Sequence, residues 1–183
     1  MKTIGIDLSL TGTGICILEN EKIVDTKLIK SKKEGDTPTD EIIRMYSIVE
    51  EVVEEFLIYN SKEEISVDLV LLEGISYMSK NTTALSQLSG LSYMVRSELF
   101  RNDIPFVIVA PSSLKKFITG KGNSPKDIIM MEIYKGWGET ITDNNKADAF
   151  GLAMIGQYLL NPKIKMEQYQ KEVINLLKKQ YEN

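Results

Sequence analysis

The sequence predicts an α/β protein built on a mixed five-stranded sheet, in which three antiparallel strands precede two parallel strands and helices flank the sheet. Residues 2–9, 12–19 and 22–30 are rich in Ile, Leu, Val and Thr, and only short turns separate them, which indicates an antiparallel meander. Residues 67–72 and 104–110 are further apolar segments, and each follows a segment with helical periodicity. These two are expected to complete the sheet.

Segments whose apolar residues recur at helical spacing account for most of the remaining chain. They cover residues 39–59, 82–100, 112–118, 125–137, 145–160 and 164–181. Thr39 is expected to cap the first of these helices. We predict one domain over residues 1–160 and a C-terminal amphipathic helix within residues 161–183, to which the sequence assigns no role.

The residue types that are missing restrict the chemistry. The 183 residues contain no histidine and a single cysteine, Cys16. Catalysis by Ser-His-Asp or Cys-His groups is therefore excluded, as are the common zinc sites that contain histidine. No apolar run approaches the roughly 20 residues that a membrane span needs. Asp7 interrupts the first apolar segment, which is untypical of a signal peptide, so we expect a cytoplasmic protein without a membrane partner.

Charge is distributed unevenly along the chain. The formal net charge is −4, which by itself does not suggest a protein that binds nucleic acid. Residues 111–126, however, contain four lysines and no acid, whereas acidic residues gather in residues 50–64. Since binding depends on local fields rather than on net charge, a nucleic-acid partner is compatible with this distribution.

Three carboxylates occur in apolar surroundings. Asp7 lies within the first predicted strand, Glu73 directly follows the fourth, and Asp148 stands between two alanines of the predicted helix 145–160. Each acid taken alone is compatible with an ordinary solvent-exposed position. If the first and fourth strands are neighbours, however, Asp7 and Glu73 project from adjacent strand ends, and the small residues around Asp148 allow its helix to approach them.

A cluster of carboxylate oxygens predicts a site for hard divalent cations, above all Mg²⁺, with Mn²⁺ expected to substitute. Two such ions about 4 Å apart can activate water and stabilise the leaving oxygen in phosphodiester hydrolysis. This mechanism needs no histidine, which agrees with the composition.

Four motifs, in order, resemble those of the RuvC family of Holliday-junction resolvases. Residues 4–14 (IGIDLSLTGTG) match its opening motif, residues 71–73 (LLE) its second acidic strand end, residues 114–122 (LKKFITGKG) with Lys126 its basic motif, and residues 147–149 (ADA) its last motif. The resemblance covers residues 1 to about 160. It implies a ribonuclease H-like fold and catalysis by Asp7, Glu73 and Asp148 with Mg²⁺.

The resemblance also implies further site residues. The family has a fourth metal ligand, usually Asp, three positions before the helical Asp, and this chain has Asn145 there. Asn145 is equally suited to capping the helix, and Asp143 is the alternative ligand. Lys115 and Lys126 correspond to catalytic cations. Further DNA contacts are expected from Lys115, Lys116, Lys121 and Lys126, and from Tyr77 as a stacking aromatic, with Ser76 the alternative in register.

The implied protein is a homodimer that nicks a four-way DNA junction symmetrically. The helix 82–100 is a possible dimer surface because it carries small and apolar residues, although the same face could pack on its own sheet. Three alternatives stay open: a broader nuclease for branched DNA, an ATP-binding domain of the actin-like and sugar-kinase type, and a DNA-binding protein without catalysis.

Overall fold

The computed structural model describes residues 1–60, 67–75 and 82–181. Their elements, in chain order, are β1 (Lys2–Asp7), β2 (Gly12–Glu19), β3 (Lys22–Lys30), α1 (Pro38–Asn60), β4 (Leu69–Glu73), α2 (Thr82–Arg101), β5 (Phe106–Val109), α3 (Pro111–Thr119), α4 (Lys126–Trp137), α5 (Asn144–Leu160) and α6 (Gln168–Tyr181). In this part of the chain, no helix combines the length and the apolar character that crossing a bilayer requires.

The five strands form one sheet in the order β3-β2-β1-β4-β5. β2 pairs antiparallel with both β1 and β3, whereas β4 pairs parallel with β1 and with β5. The predicted mixed sheet is therefore confirmed. Ile6 of β1 lies opposite Leu72 of β4, so the residues that follow them, Asp7 and Glu73, lie side by side at the C-terminal ends of these two adjacent strands.

Helices cover both faces of the sheet. Alternate residues along each strand point to opposite faces and so contribute to two hydrophobic cores. One core joins Ile4, Ile6, Ile15 and Ile17 of the sheet to α1 and α2. The other joins Cys16, Leu18, Leu69 and Leu71 to α3, α4, α5 and α6. Both cores include strand residues, so the helices packed on each face hold in place the strand ends at which the acidic residues lie.

Helix α5 lies directly on β1 and β2, and small residues permit this contact. A Cβ atom added to Gly5 of β1 would lie 2.5 Å from the Ala153 nitrogen and closer still to the Ala149 oxygen. One added to Gly14 of β2 would collide with the Asn145 carbonyl. The close approach brings the N-terminal turns of α5, and with them Asp148, to the end of β1.

The C-terminal helix α6 packs against α3, α5 and β5, and it contributes Val173, Ile174 and Leu177 to the second core. It begins at Gln168, four residues later than the sequence indicates. The N–H of Glu167 donates to the Gln170 side chain at 2.9 Å, which satisfies a backbone donor just ahead of the helix.

The prediction that Thr39 caps α1 was wrong. The helix begins at Pro38, and Thr37 is the capping residue: its hydroxyl accepts from the Asp40 N–H at 3.1 Å, and the Asp40 carboxylate accepts from the Thr37 N–H at 3.0 Å. This reciprocal pair is a capping box with an aspartate in the third position. Proline is favoured at the first helical position because its missing N–H has no intrahelical partner there.

Candidate active site

The three predicted carboxylates come together at the C-terminal ends of β1 and β4. Asp7 is the last residue of β1 and Glu73 the last of β4, and these strands are adjacent and parallel. Asp148 lies in the first turns of α5, which crosses the same strands. Asp7 is 7% exposed and Asp148 is 9% exposed, so two of the acids are buried and Glu73 is half-buried.

Burial and mutual repulsion dominate the electrostatics of these acids. Burial, the charge of Glu73 and a hydrogen bond between the two carboxyl groups raise the pKa of Asp7 well above its usual range. Burial likewise raises the pKa of Glu73. Burial and the charge of Glu73 raise the pKa of Asp148 to about 6. The cluster is therefore short of positive charge, which a cation or bound protons can supply.

Two lysines face the carboxylates. The charges of Lys126, the first residue of α4, and of Lys115 in α3 lower the pKa of both Glu73 and Asp148. Lys126 also acts on Asp7 in the same direction. These cations do not fully offset the burial of the acids, since the pKa of each acid stays raised.

The structure separates the roles of Asp143 and Asn145. Asp143 caps α5, because its carboxylate accepts a hydrogen bond from the Lys146 N–H at 3.0 Å. Asn145 is not the cap; its Nδ2 donates to the Gly12 carbonyl at 2.8 Å. Of the two, Asn145 is thus the residue that joins α5 to the sheet near the carboxylates. Its hydrogen bond uses Nδ2, so the amide oxygen Oδ1 is the atom that could contact a cation.

The donor set suits a hard divalent cation. Its atoms are carboxylate oxygens together with an amide oxygen, and such oxygens are the preferred ligands of Mg²⁺ and Mn²⁺. Within residues 1–60, 67–75 and 82–181, no three acidic or cysteine side chains lie close enough together to coordinate one metal ion as they stand.

The other two predicted DNA-binding lysines contact residues outside the carboxylate cluster. Lys116 forms an ion pair with Glu172 of α6 at 2.7 Å, and both side chains are partly exposed. Lys121 is exposed in the turn after α3, where its carbonyl accepts from the hydroxyls of Thr119 and Ser124. Tyr77 and its alternative, Ser76, lie outside the described residues.

Sequence reasoning missed the groups that hold the turn after β1. The guanidinium of Arg44 in α1 donates to the carbonyls of Leu10 and Ser31, and thereby ties this turn to the end of β3. Within the turn, the Thr13 hydroxyl donates to the Ser9 carbonyl at 2.9 Å and accepts from the Ser9 N–H at 3.1 Å. Arg44 carries no signal in the sequence, since its partners, two backbone carbonyls and the Ser31 hydroxyl, belong to distant segments of the chain.

Comparison with known proteins relates this arrangement to one family. The model of the family described as "Crossover junction endodeoxyribonuclease RuvC" matches residues 3–156. The RuvC protein of Brachyspira hyodysenteriae is 26% identical over 167 residues, which cover 84% of this chain and 92% of that protein. The RuvC protein of Carboxydothermus hydrogenoformans is 26% identical over 160 residues, 85% of this chain and 95% of the relative.

Solved structures show the same fold. The Thermus thermophilus RuvC structure superposes with a TM-score of 0.67 at 18% identity, covering 86% of this chain and 95% of its own. The T. thermophilus RuvC in complex with Holliday junction substrate gives a TM-score of 0.69 at 16% identity, covering 86% and 94% of the two chains. The predicted ribonuclease H-like fold, a mixed five-stranded sheet flanked by helices, is confirmed.

Proposed function

This chain belongs to the RuvC family of crossover junction endodeoxyribonucleases, a family that depends on divalent metal ions, and we propose that it cleaves four-way DNA junctions with Mg²⁺. The proposed site consists of Asp7, Glu73 and Asp148, completed by the amide oxygen of Asn145. Mn²⁺ is expected to substitute, because it accepts the same oxygen ligands. We place the reaction in the cytoplasm, the compartment that the sequence indicates.

The observation that supports this proposal most directly is the convergence of three acids from distant parts of the chain. Asp7, Glu73 and Asp148 act on one another electrostatically although they come from β1, β4 and α5. Burying like charges together is unfavourable, so a purely structural origin of the cluster is hard to justify. Binding of divalent cations would account for the cluster, because their positive charge offsets the repulsion among the acids.

The proposed chemistry assigns separate roles to acids and lysines. When bound, divalent cations at such a site activate water and stabilise the leaving oxygen of the phosphodiester. The carboxylates would hold and orient the cations. Lys115 and Lys126, which face the same acids, are placed to stabilise the negative charge that builds up on the scissile phosphate.

The proposed DNA surface extends from this site over α3 and the turn that follows it. Lys116 and Lys121 supply positive charge there, and Lys116 would exchange its partner Glu172 for phosphate. Tyr77 is proposed as the aromatic that stacks on a base at the junction, with Ser76 as the alternative in register. These contacts would position the junction, while Lys115 and Lys126 act at the bond that breaks.

We propose a homodimer whose contact lies on the exposed surface of the N-terminal half of α2, at Ser86 and Gly90. Both residues are exposed, and Gly90 has only Met45 atoms near its Cβ position, at 3.8 Å and beyond. Of the other residues considered for this surface, Leu91 is buried in the core of its own subunit and Met94 packs against that core. Two-fold symmetry of the dimer would match that of a four-way junction.

A gel assay on four-way, three-way and linear duplex DNA, with Mg²⁺, with Mn²⁺ and with chelator, tests the proposal. We expect symmetric nicks in the four-way junction only when a divalent cation is present. Equal cleavage of three-way DNA would favour the broader nuclease for branched DNA. Lack of cleavage of every substrate with either cation would contradict the proposed function.

A further inference from the structure

A groove lies beside the proposed active site, between α2 and α6. It begins at Gly74 and Ile75, the residues directly after Glu73, and its walls include Tyr93 of α2 and Leu176 and Gln180 of α6. Since the N–H of Gly74 donates to the Val109 carbonyl at 2.7 Å, the groove lies over the ends of β4 and β5.

Among the described residues, helix α2 carries two buried polar side-chain atoms without hydrogen-bond partners, one of which belongs to a residue that lines this groove. Arg96 lines the groove, and its Nε is buried without a hydrogen-bond partner. The Ser92 hydroxyl, one helical turn earlier, is buried without a partner as well, and Ser92 is 1% exposed. These are the two side-chain atoms of this kind within residues 1–60, 67–75 and 82–181. Because unpartnered buried polar groups are costly, each of them calls for an explanation, and a bound group that accepts the hydrogen bond is one.

The charge and the shape of the groove define what it can accept. In the described part of the chain Arg96 forms no ion pair, and the residues that line the groove include no acid. The Arg96 guanidinium lies 4.9 Å from the centroid of the Tyr93 ring, which is itself 66% exposed. A free cation beside an exposed aromatic ring is suited to the phosphate, sugar and base of a nucleic acid strand.

We propose that this groove binds the DNA strand that flanks the cleavage site, with Arg96 on a backbone phosphate and Tyr93 against the adjoining nucleotide. The proposal deepens the proposed function, since it rests on DNA being the substrate. It assigns a role to α6, which lies beyond residues 3–156 of the family match and forms one wall of the groove. The helix would thus extend the DNA-binding surface as well as complete the core.

Equilibrium binding of a four-way junction in chelator, measured from about 50 to 200 mM salt, tests the role of Arg96 without cleavage. For Arg96→Gln we expect affinity to fall roughly tenfold and the slope of log K against log salt to decrease by about 1, as for one lost phosphate contact. Arg101→Gln is the matched control on the same helix, because Arg101 is 71% exposed and already paired with Glu98 at 3.2 Å. It should leave the slope unchanged.

A second experiment locates the DNA without altering Arg96. Cys16 is the single cysteine of the chain and is buried, so a Leu176→Cys variant can be labelled selectively with an iron chelate that cuts nearby DNA. Leu176 is 57% exposed, which makes it accessible to the reagent. We expect cuts within a few nucleotides of the junction centre. Val24→Cys on β3, at the opposite edge of the sheet, is the control and should give none there.

The outcomes separate this proposal from the proposed function. Equal slopes for Arg96→Gln and Arg101→Gln, or equal cutting from positions 176 and 24, would overturn the groove as a DNA site. A change in dimer dissociation without a change in DNA slope would identify the groove as a protein interface and would overturn it too. If Arg96→Gln does not fold, the comparison of DNA cutting from positions 176 and 24 still tests whether the groove binds DNA. Failure of the wild type to cleave, with an Arg96-dependent slope, would contradict the nuclease but support the groove.

Discussion

The amide nitrogen of Asn145 lies 2.8 Å from the carbonyl oxygen of Gly12 and donates a hydrogen bond to it. This bond joins the first turn of α5 to the start of β2, three residues before Asp148. A Cβ atom on Gly12 would lie 3.0 Å from the same nitrogen, so the contact is as close as a glycine allows. Asn145 therefore helps to set the position of Asp148 over the sheet, in addition to its proposed role as a ligand.

Asn145→Asp tests both roles of this residue. A carboxylate cannot donate to the Gly12 carbonyl, so without divalent cations we expect the variant to lose about 1–3 kcal/mol of stability. With Mg²⁺ we expect a larger gain in stability than the wild type shows, because the added charge strengthens cation binding. Urea unfolding with and without Mg²⁺ measures both effects. An identical Mg²⁺ response in the two proteins would place residue 145 outside the metal site.

The raised pKa of Asp148 predicts how stability depends on pH when no metal is present. The folded protein holds this proton up to about pH 6, whereas the unfolded chain releases it near 3.8. The contribution of Asp148 to stability should therefore fall as pH rises from about 4 to 6, by roughly 3 kcal/mol. Asp7 and Glu73, whose pKa values are also raised, should extend the fall to higher pH.

The Asp148→Asn variant isolates the contribution of this residue. In chelator it should be more stable than the wild type at pH 8, and the difference should disappear below pH 4, where the wild-type carboxyl is protonated in both states. Urea unfolding across this range measures the difference. An Asp148→Asn variant that is no more stable than the wild type at pH 8 in chelator would contradict the raised pKa of Asp148.

Gly5→Ala tests the contact that brings α5 to β1. The new methyl group would collide with the backbone at Ala149 and Ala153, so we expect a loss of about 3 kcal/mol or more and a loss of cleavage. Gly136→Ala in α4 is the control, because it meets nothing within 4 Å and should stabilise the helix by about 0.5–1 kcal/mol. Thermal unfolding compares them, and equal stability of both variants would contradict the described packing.

Lys126→Gln tests the proposed stabilisation of charge at the scissile phosphate. Removing one such group should lower the single-turnover cleavage rate by about 10²–10³-fold, with a much smaller effect on junction affinity. Lys135→Gln in the same helix is the control, because Lys135 is paired with Glu132 at 2.8 Å and is 56% exposed. Equal rates for the two variants would remove Lys126 from the chemistry.

Much of the fold could be predicted from local patterns. Segments rich in Ile, Leu, Val and Thr with short turns between them indicated the β1–β2–β3 meander, and helical periodicity located the helices α1 to α6 to within a few residues. The start of α1 at Pro38 was missed because Thr37 and Thr39 are both residues that cap helices, and the hydrogen bonds between Thr37 and Asp40 decide between them. Helix ends depend on such individual bonds, which periodicity does not encode.

The site was predictable where residue type was decisive. Carboxylates in apolar segments stood out, and the parallel pairing of β1 with β4 brought Asp7 and Glu73 together. The sequence could not separate the roles of Asp143 and Asn145, because both suit a helix start. Nor could it indicate Arg44 or Arg96, whose positions depend on tertiary packing alone.

The most direct test of the central claim, that three distant acids form one metal-dependent catalytic site, is single-turnover cleavage and binding of a four-way junction by Asp7→Asn. We expect cleavage in Mg²⁺ to be abolished while junction affinity in chelator is equal to or tighter than that of the wild type, since a negative charge near the phosphate has been removed. Cleavage at the wild-type rate would contradict the assignment of Asp7, and with it the proposed site.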